Sequence, residues 1–340
     1  MRIALDALGG DDAPRAVLEG AALALRDPST PTLVLVGPVD RLRPEFDEAV
    51  RRLAPEIAAS LDGRIEFHEA RDVVSMDAPP TAVRRLPDST IVKGVGLVKD
   101  KTAAAVVTAG NTGAAVAATT LFLRTLQGVR RPGIAATLPS GRGVCTIMDV
   151  GANVKCKPIH LFQYGVMAAI YHRHVHGVDQ PTVGLLNIGE EVEKGNELVR
   201  ETGALFKASD VNFVGNIEGQ DVFSGRCDVI VCEGFVGNVV LKVSEGLAGA
   251  VFSFLRNEVS KLLASDERAA WAHGLEKFRQ WSDYAEYGGA LLLGVDGICV
   301  ICHGRSEGRA IANAVRLAAR FMKTDVNRAI VEGLQKMEAV

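Results

Sequence analysis

The chain reads as an α/β protein on a mostly parallel sheet with helices on both faces. Three observations carry that reading. Short β-rich runs recur with helical patterns between them, the alternation that parallel strands and crossover helices require. The runs are nearly continuous in apolar residues, as strands buried on both faces are. Finally, 35 glycines, 48% hydrophobic and only 5% aromatic residues describe an Ala/Val/Gly-rich globular chain with many tight turns. At 340 residues one large domain with a lobe, or two domains, is expected. No Pro/Gly/Ser linker, repeat or low-complexity tract marks a boundary, so residues 1–340 are read as a single domain.

In chain order the strands are "RIALDAL", "TLVLVG", "RIEFHEA", "AAAVVTAG", "GIAATLP", "VCTIMDVG", "TVGLLNIG", "NFVGNIEG", "CDVIVCEG" and "GICVICHG". Two segments break the alternation. Residues 76–101, "MDAPPTAVRRLPDSTIVKGVGLVKDK", are rich in proline and basic residues and are expected to form a lid or crossover beside the sheet. Residues 239–283 read as a protruding pair of helices, with Leu247, Val251, Phe254, Leu255, Leu262, Leu263, Trp271, Leu275, Phe278 and Trp281 at amphipathic spacings. These residues alone favour packing on the core or across a dimer over a membrane-contacting tip.

A net charge of −3 supplies no basic footprint for nucleic acid. The start, "MRIALDALGGDDAP", runs into acids and glycines and does not read as a signal peptide. No apolar run approaches the roughly 18 residues that would suggest a membrane span. A cytoplasmic protein follows, whose six cysteines (145, 156, 227, 232, 299, 302) stay as thiols in a reducing compartment.

Glycine and asparagine recur at the expected strand ends: Gly110, Asn111, Thr112 and Gly113; Asp149, Gly151 and Asn153; Asn187 and Gly189; Gly215 and Asn216; Gly237 and Asn238. In a parallel sheet such loops share one edge, so they are expected to converge on one cleft, with Asn as a neutral donor and Gly opening backbone amides to an anion. Any one of these loops is equally explained as a turn. "AGNTGAAVAATTLFL" is the best anion cradle, because its helix carries no acid in the first turn. In "LGGDDAP", Asp11 and Asp12 oppose a phosphate, and Asp12 before Pro14 reads as a helix cap. Asn238 and Lys242, four apart, share a helical face; alternatively Lys242 pairs with Glu245. In "GLLNIGEEVEKGNE", Lys194 follows its strand unusually soon, Glu190 is positioned to pair with it on a helical turn, and Asn196 to cap the segment after it.

Two motifs invite metal or haem readings. "CVICH" (Cys299, Cys302, His303) matches a haem-attachment pattern, but strand alternation puts the two thiols on opposite faces. "YHRHVHG" (His172, His174, His176) closes a helix before Gly177, where surface or capping use is favoured over metal.

Together the motifs resemble the bacterial phosphate acyltransferases of phospholipid synthesis, the acyl-acyl carrier protein:phosphate acyltransferase (PlsX) family. The matching stretches are "LDALGGDDAP", "MDAPPTAVR", "TAGNTGA", "DVGANV", "LLNIGEEVEKGNELVRE", "NFVGNIEGQDVFSG", "DVIVCEGFVGNVVLK" and "GGALLLGVDGICVICHGRS", in order across essentially the whole chain. The chain departs from the family pattern at "DSTIVKGVGLVK", at "EG" within "CEGF", and at "YGGALLL". The resemblance implies a three-layer α/β/α fold like that of phosphotransacetylases and isopropylmalate dehydrogenases, a homodimer and peripheral membrane contact. It implies acyl transfer from acyl carrier protein to inorganic phosphate, with the acyl phosphate passed to a membrane glycerol-3-phosphate acyltransferase.

That chemistry requires a held dianion, donors for the developing oxyanion and a proton for the thiolate, with no cofactor and no metal. Lys194 and Lys242, with amides near Asn111 to Gly113, are assigned to phosphate, alongside Gly110, Thr112, Asn187, Gly189 and Gly237 around the cleft. Asn238 and Asn153 are assigned to the oxyanion and His303 to the proton. A covalent route through Cys232 or Cys302 competes. Arg84 and Arg85, with Lys93, Arg130 and Arg131, form the candidate carrier-docking patch. Rival readings are a coenzyme A-dependent phosphotransacetylase and a non-catalytic carrier-binding scaffold; a dehydrogenase of related fold lacks the G-x-G-x-x-G fingerprint.

Overall fold

Every run read as a strand contains one: β1 (Arg2–Asp6), β2 (Thr32–Gly37), β3 (Ile65–Glu69), β4 (Ala105–Thr108), β5 (Gly133–Ser140), β6 (Gly143–Met148), β7 (Val183–Leu186), β8 (Phe213–Ile217) and β9 (Val229–Val231). The last run gives β11 (Ile298–Ile301), and a strand not expected, β10 (Ala290–Leu293), precedes it. The computed structural model describes residues 1–259, 261, 267–282 and 284–338. The eleven strands form one sheet in the order β3-β2-β1-β4-β11-β10-β5-β6-β9-β7-β8.

The sheet is mostly parallel, but it contains reversals. β3, β2, β1, β4 and β11 run together. β10 opposes both β11 and β5, and β5 opposes β6. β6, β9, β7 and β8 then run together. Three successive reversals leave the two parallel groups antiparallel to each other. The expectation that all five Gly/Asn loops open on one edge is therefore corrected: the loop after β4 lies on one edge, those after β6, β7, β8 and β9 on the other.

Helices cover both faces, giving the three-layer arrangement. α1 (Arg15–Leu25), α2 (Val39–Leu53), α5 (Pro158–His176), α6 (Glu197–Lys207), α9 (Gly308–Phe321) and α10 (Val326–Glu338) contribute to one apolar core. α3 (Thr90–Lys99), α4 (Thr112–Phe122) and the base of α7 (Gly234–Phe254) contribute to the other. Strand alternation divides the side chains between them: Ile3 and Leu5 enter the first, Ala4 the second. Cys299 and Cys302 are split in the same way, as the alternation required.

Local expectations fare unevenly. Residues 90–99 are a packed helix rather than a lid, because Ile91, Val92, Val95 and Val98 form a buried face. Asp12 gives no side-chain cap; its carboxylate bonds Arg15 instead. Gly177 ends α5 in the left-handed region (φ 75), yet His172 is fully enclosed against Thr146 (3.0 Å) rather than on the surface. His176 lies edge-on to the Tyr171 ring and 4.7 Å from the His172 ring.

α7 projects from the sheet. Glu233 caps it by accepting from the Phe235 and Val236 amides. Only Gly234, Gly237 and Leu241 are buried along it. A Cβ at Gly237 would overlap the Asp149 carbonyl oxygen, so the helix approaches the loop after β6 at a distance only glycine permits. Its outer face is an apolar ridge at spacings of eight, four and seven, with Phe235, Val243, Leu247 and Phe254 at least 60% exposed. The helical path Gly234–Val259, with mean hydropathy 1.4, is long and apolar enough to cross a membrane by length and composition. The expectation of no such segment is corrected: Lys242 and Glu245 interrupt the apolar run without lowering its mean enough to fail. α8 (Glu267–Ser282) follows. Leu262 and Leu263 lie outside the described residues.

Replacing Gly237 with Ala is expected to cost about 1–3 kcal/mol through overpacking, read as a lowered denaturant midpoint with an unchanged slope. Burial pushes His172 down, and burial with the neighbouring His172 pushes His176 down to about 4 from 6.5. An unfolded chain then takes up these protons first, so the stability from neutral rings is complete above pH 6.5 and lost as pH falls toward 4. A His176→Phe variant is expected to lose less melting temperature over that interval than the unsubstituted protein.

Candidate active site

At the edge where β1, β4 and β11 end, a buried acid organises the turn. Thr108 Oγ1 donates to Asp6 Oδ2 at 2.7 Å, and the Gly110 amide donates to Thr108 Oγ1 at 3.0 Å. Burial pushes the Asp6 carboxyl up, against the hydrogen bonds it accepts. Asn111 caps α4, its Oδ1 accepting from the Ala114 amide at 2.9 Å. Its Nδ2 bonds the carbonyls of Ser75, Met76 and Ala78. Asn111 thus ties the 75–78 loop to the helix and keeps no free donor. The Thr112 and Gly113 amides, ahead of the first helical bond, stay available at the positive end of the dipole.

On the other edge Asp149 gathers a loop. Oδ1 accepts from the Ile134, Gly151 and Ala152 amides, and Oδ2 from Asn153 at 2.7 Å. Asn153 commits its Nδ2 to the Pro132 carbonyl (2.7 Å), while its Oδ1 meets Arg131 at 3.4 Å. After β7, Asn187 closes a polar loop by bonding the Ile188 amide and the Lys194 carbonyl. Asn216 clamps the same loop through the Glu191 carbonyl. The loop is not helical, so Glu190 does not meet Lys194; it forms a forked pair with Arg226. Asn196 caps α6 through the Val199 amide, as expected. Lys194 is exposed, its stem lying over Gly189, and it carries no ion pair among the described residues.

α7 joins the two edges. Asn238 is exposed and faces Gly151, and one turn on, Lys242 reaches a cavity of about 640 Å³ that also includes His303, Arg305, Ser306 and Arg309. Lys242 pairs with Glu245 at 3.2 Å, and Glu245 Oε1 is buried with no partner among the described residues. His303 Nδ1 accepts from the Arg305 amide at 3.2 Å, which puts the ring proton on Nε2. Burial first, then Lys242, pushes His303 below its ordinary value. The shift favours the neutral ring, whose Nε2–H is a hydrogen-bond donor.

Burial pushes Cys302 up to about 12 and Cys232 well up too, which removes their thiolate character. The basic patch expected for docking does not assemble. Arg84 and Arg85 are exposed on and beside the short helix Pro80–Arg84, Lys93 pairs with Asp88, and Arg131 stands beside Asn153 on the other edge.

Sequence reasoning passed over Asp6, the gathering role of Asp149, and Arg305. For the two aspartates a signal existed: each is a lone acid at the end of an apolar strand, a position that costs desolvation unless it holds something.

A family model described as "Fatty acid synthesis protein" matches residues 1–329. A phosphate acyltransferase of Geobacter sulfurreducens is 47% identical over 337 residues, covering 98% of this chain and 94% of the relative. One from Geotalea uraniireducens is 46% identical, covering 99% and 95%. Among solved structures, a phosphotransacetylase from Staphylococcus aureus aligns with a TM-score of 0.60 over 95% of this chain and 94% of that one, at 15% identity, a likeness of fold. Identity approaching one half along nearly the full length, over motifs that build both edges of the sheet, establishes that the chain belongs to the phosphate acyltransferase family.

Proposed function

We propose that the protein transfers a fatty acyl group from acyl-acyl carrier protein to inorganic phosphate, releasing acyl phosphate and free carrier protein. The observation that carries this reading is the cavity between α7 and the end of β11, where Lys242 and the neutral His303 face the same space. A phosphate oxygen attacks the thioester carbonyl, the carbon–sulfur bond breaks, and the thiolate takes a proton. Lys194 holds the dianion on the edge where Asn238 faces Gly151, with Lys242 one turn further along α7; the Thr112 and Gly113 amides, on the opposite edge, do not share it. Asn238 and the His303 Nε2–H donate to the developing oxyanion. Asn153, already bonded to Pro132 and Arg131, orders the Asn238 side of the site. A thiol of ordinary pKa near 8.5 needs its proton only partly, so solvent suffices. The buried Cys232 and Cys302 disfavour a covalent route.

The reading extends to the surroundings. The ridge of α7 serves as the contact of a homodimer or of a peripheral attachment to the cytoplasmic membrane surface, where a membrane glycerol-3-phosphate acyltransferase consumes the acyl phosphate.

The central test is thiol release from long-chain acyl-carrier protein, with and without phosphate, beside acetyl-CoA. Phosphate-dependent release from the carrier substrate is expected; release from acetyl-CoA alone favours a phosphotransacetylase, and binding without release a scaffold. Lys194→Ala is expected to raise the phosphate KM roughly tenfold, the scale of one charge-assisted hydrogen bond, before carrier KM changes. Unchanged phosphate kinetics would remove Lys194 from the site.

A further inference from the structure

The proposed function leaves one strongly charged surface unused. α9 buries Ile311, Ala312, Ala314, Val315, Leu317, Ala318 and Phe321 against the sheet and α1, and turns its other face to solvent. On that outer side, Arg305, Arg309, Arg316, Arg320 and Lys323 are all exposed. Their spacings of four, seven, four and three keep them in one stripe on the order of 20 Å long from Arg309 to Lys323. Glu307 is the only acid between positions 304 and 324, in a chain whose net charge is −3.

The stripe is largely uncommitted. Arg309 pairs with Glu286 at 2.9 Å and Glu276 at 3.7 Å. Arg316 donates to Asn313 Oδ1 at 2.6 Å. Among the described residues, Arg305, Arg316, Arg320 and Lys323 have no ion pair. A groove of about 590 Å³ runs beside the stripe past Arg309, Ala312 and Arg316, with Arg26 and Asp27 on its far wall. Arg309 also lines the Lys242–His303 cavity, so groove and cavity adjoin at that side chain.

We propose that the α9 stripe is the docking surface for the acidic carrier protein, whose thioester-bearing arm enters the cavity past Arg305 and Arg309. The proposal rests on the acyl-carrier reading and names the surface that reading lacks. Charge complementarity identifies the partner, and the shared wall at Arg309 brings its arm to the cavity where the reaction needs it. A lipid surface fits less well, because none of the large exposed apolar side chains among the described residues lies on α9, whose stripe presents guanidinium and ammonium groups.

The test is a charge-reversal variant, Arg316→Glu/Arg320→Glu/Lys323→Glu, which spares the cavity-lining residues. Steady-state kinetics are measured with acyl-carrier protein and with the same acyl group on pantetheine, each with phosphate. The expected result is about a tenfold or greater loss of kcat/KM for the carrier substrate, through KM, with pantetheine turnover retained and the salt dependence of carrier turnover flattened. Pantetheine turnover also reports folding. Unchanged carrier kinetics overturn the docking surface, as does an equal loss on both substrates in a variant that melts like the parent. Loss of binding to anionic vesicles with carrier kinetics intact overturns it in favour of a membrane role. If the unsubstituted protein releases no thiol from acyl-carrier protein in a phosphate-dependent way, the functional reading itself fails, and that result is read before any variant is made.

Discussion

The close approach of α7 to the loop after β6 is the constraint on which the site depends. At Gly234 a Cβ would meet the Asn153 carbonyl oxygen at 2.7 Å, and at Gly237 it would overlap the Asp149 carbonyl oxygen. Two glycines on one helical face therefore set the distance between the base of α7 and a loop whose own shape Asp149 holds by accepting four backbone amides. Everything α7 carries is positioned from that contact: Asn238 over Gly151, then Lys242 and Glu245 at the cavity. Because β5 and β6 run antiparallel and invert the second half of the sheet, no set of strand ends can gather these groups alone. A helix that crosses from one edge to the other does so instead.

That arrangement explains which parts of the molecule were legible in the sequence. Strands announce themselves through apolar continuity, so "TLVLVG" gave β2 to the residue, and the split of Cys299 and Cys302 followed from period-two geometry. β10 escaped because "GGALLLG" is short and flanked by glycines with positive φ at 288, 289 and 294, and reads as a turn. The direction of half the sheet was missed for another reason: β5 and β6 pair antiparallel, where the alternation of strands and helices implied parallel neighbours. The site suffered for a related reason: side-chain types are visible in a sequence, but their commitments are not. Asn111, Asn153 and Asn187 are all where strand-end reasoning puts them, and all three use their amides to hold backbone. Glu190 found Arg226, thirty-six residues away, rather than Lys194 four residues away.

Lys194 gains in interest from these losses. Its loop is fixed at Asn187, Asn216 and Asn196, with Gly195 at φ +87 where a Cβ would strike the Asn187 side chain. A rigid loop presenting a cation with no ion pair among the described residues limits the entropy lost when an anion binds. A lysine already paired, such as Lys242 with Glu245, must exchange one partner for another.

The charge balance of the cavity sharpens how the proposed chemistry divides its work. Lys242, Arg279, Arg305 and Arg309 line it together with Glu245, Glu286 and Glu307, so its walls nearly neutralise themselves. A dianion gains little from such a space unless it displaces one of those acids, and Glu245, already holding one buried oxygen without a partner among the described residues, repels it. A neutral, amide-rich arm meets no such repulsion and finds donors and acceptors on every side. On the proposed reading the cavity is therefore better matched to the thioester arm, while phosphate relies on the uncommitted cation at Lys194. His303, oriented by the Arg305 amide, lines that cavity and on this reading offers its Nε2–H to the carbonyl of the arriving thioester.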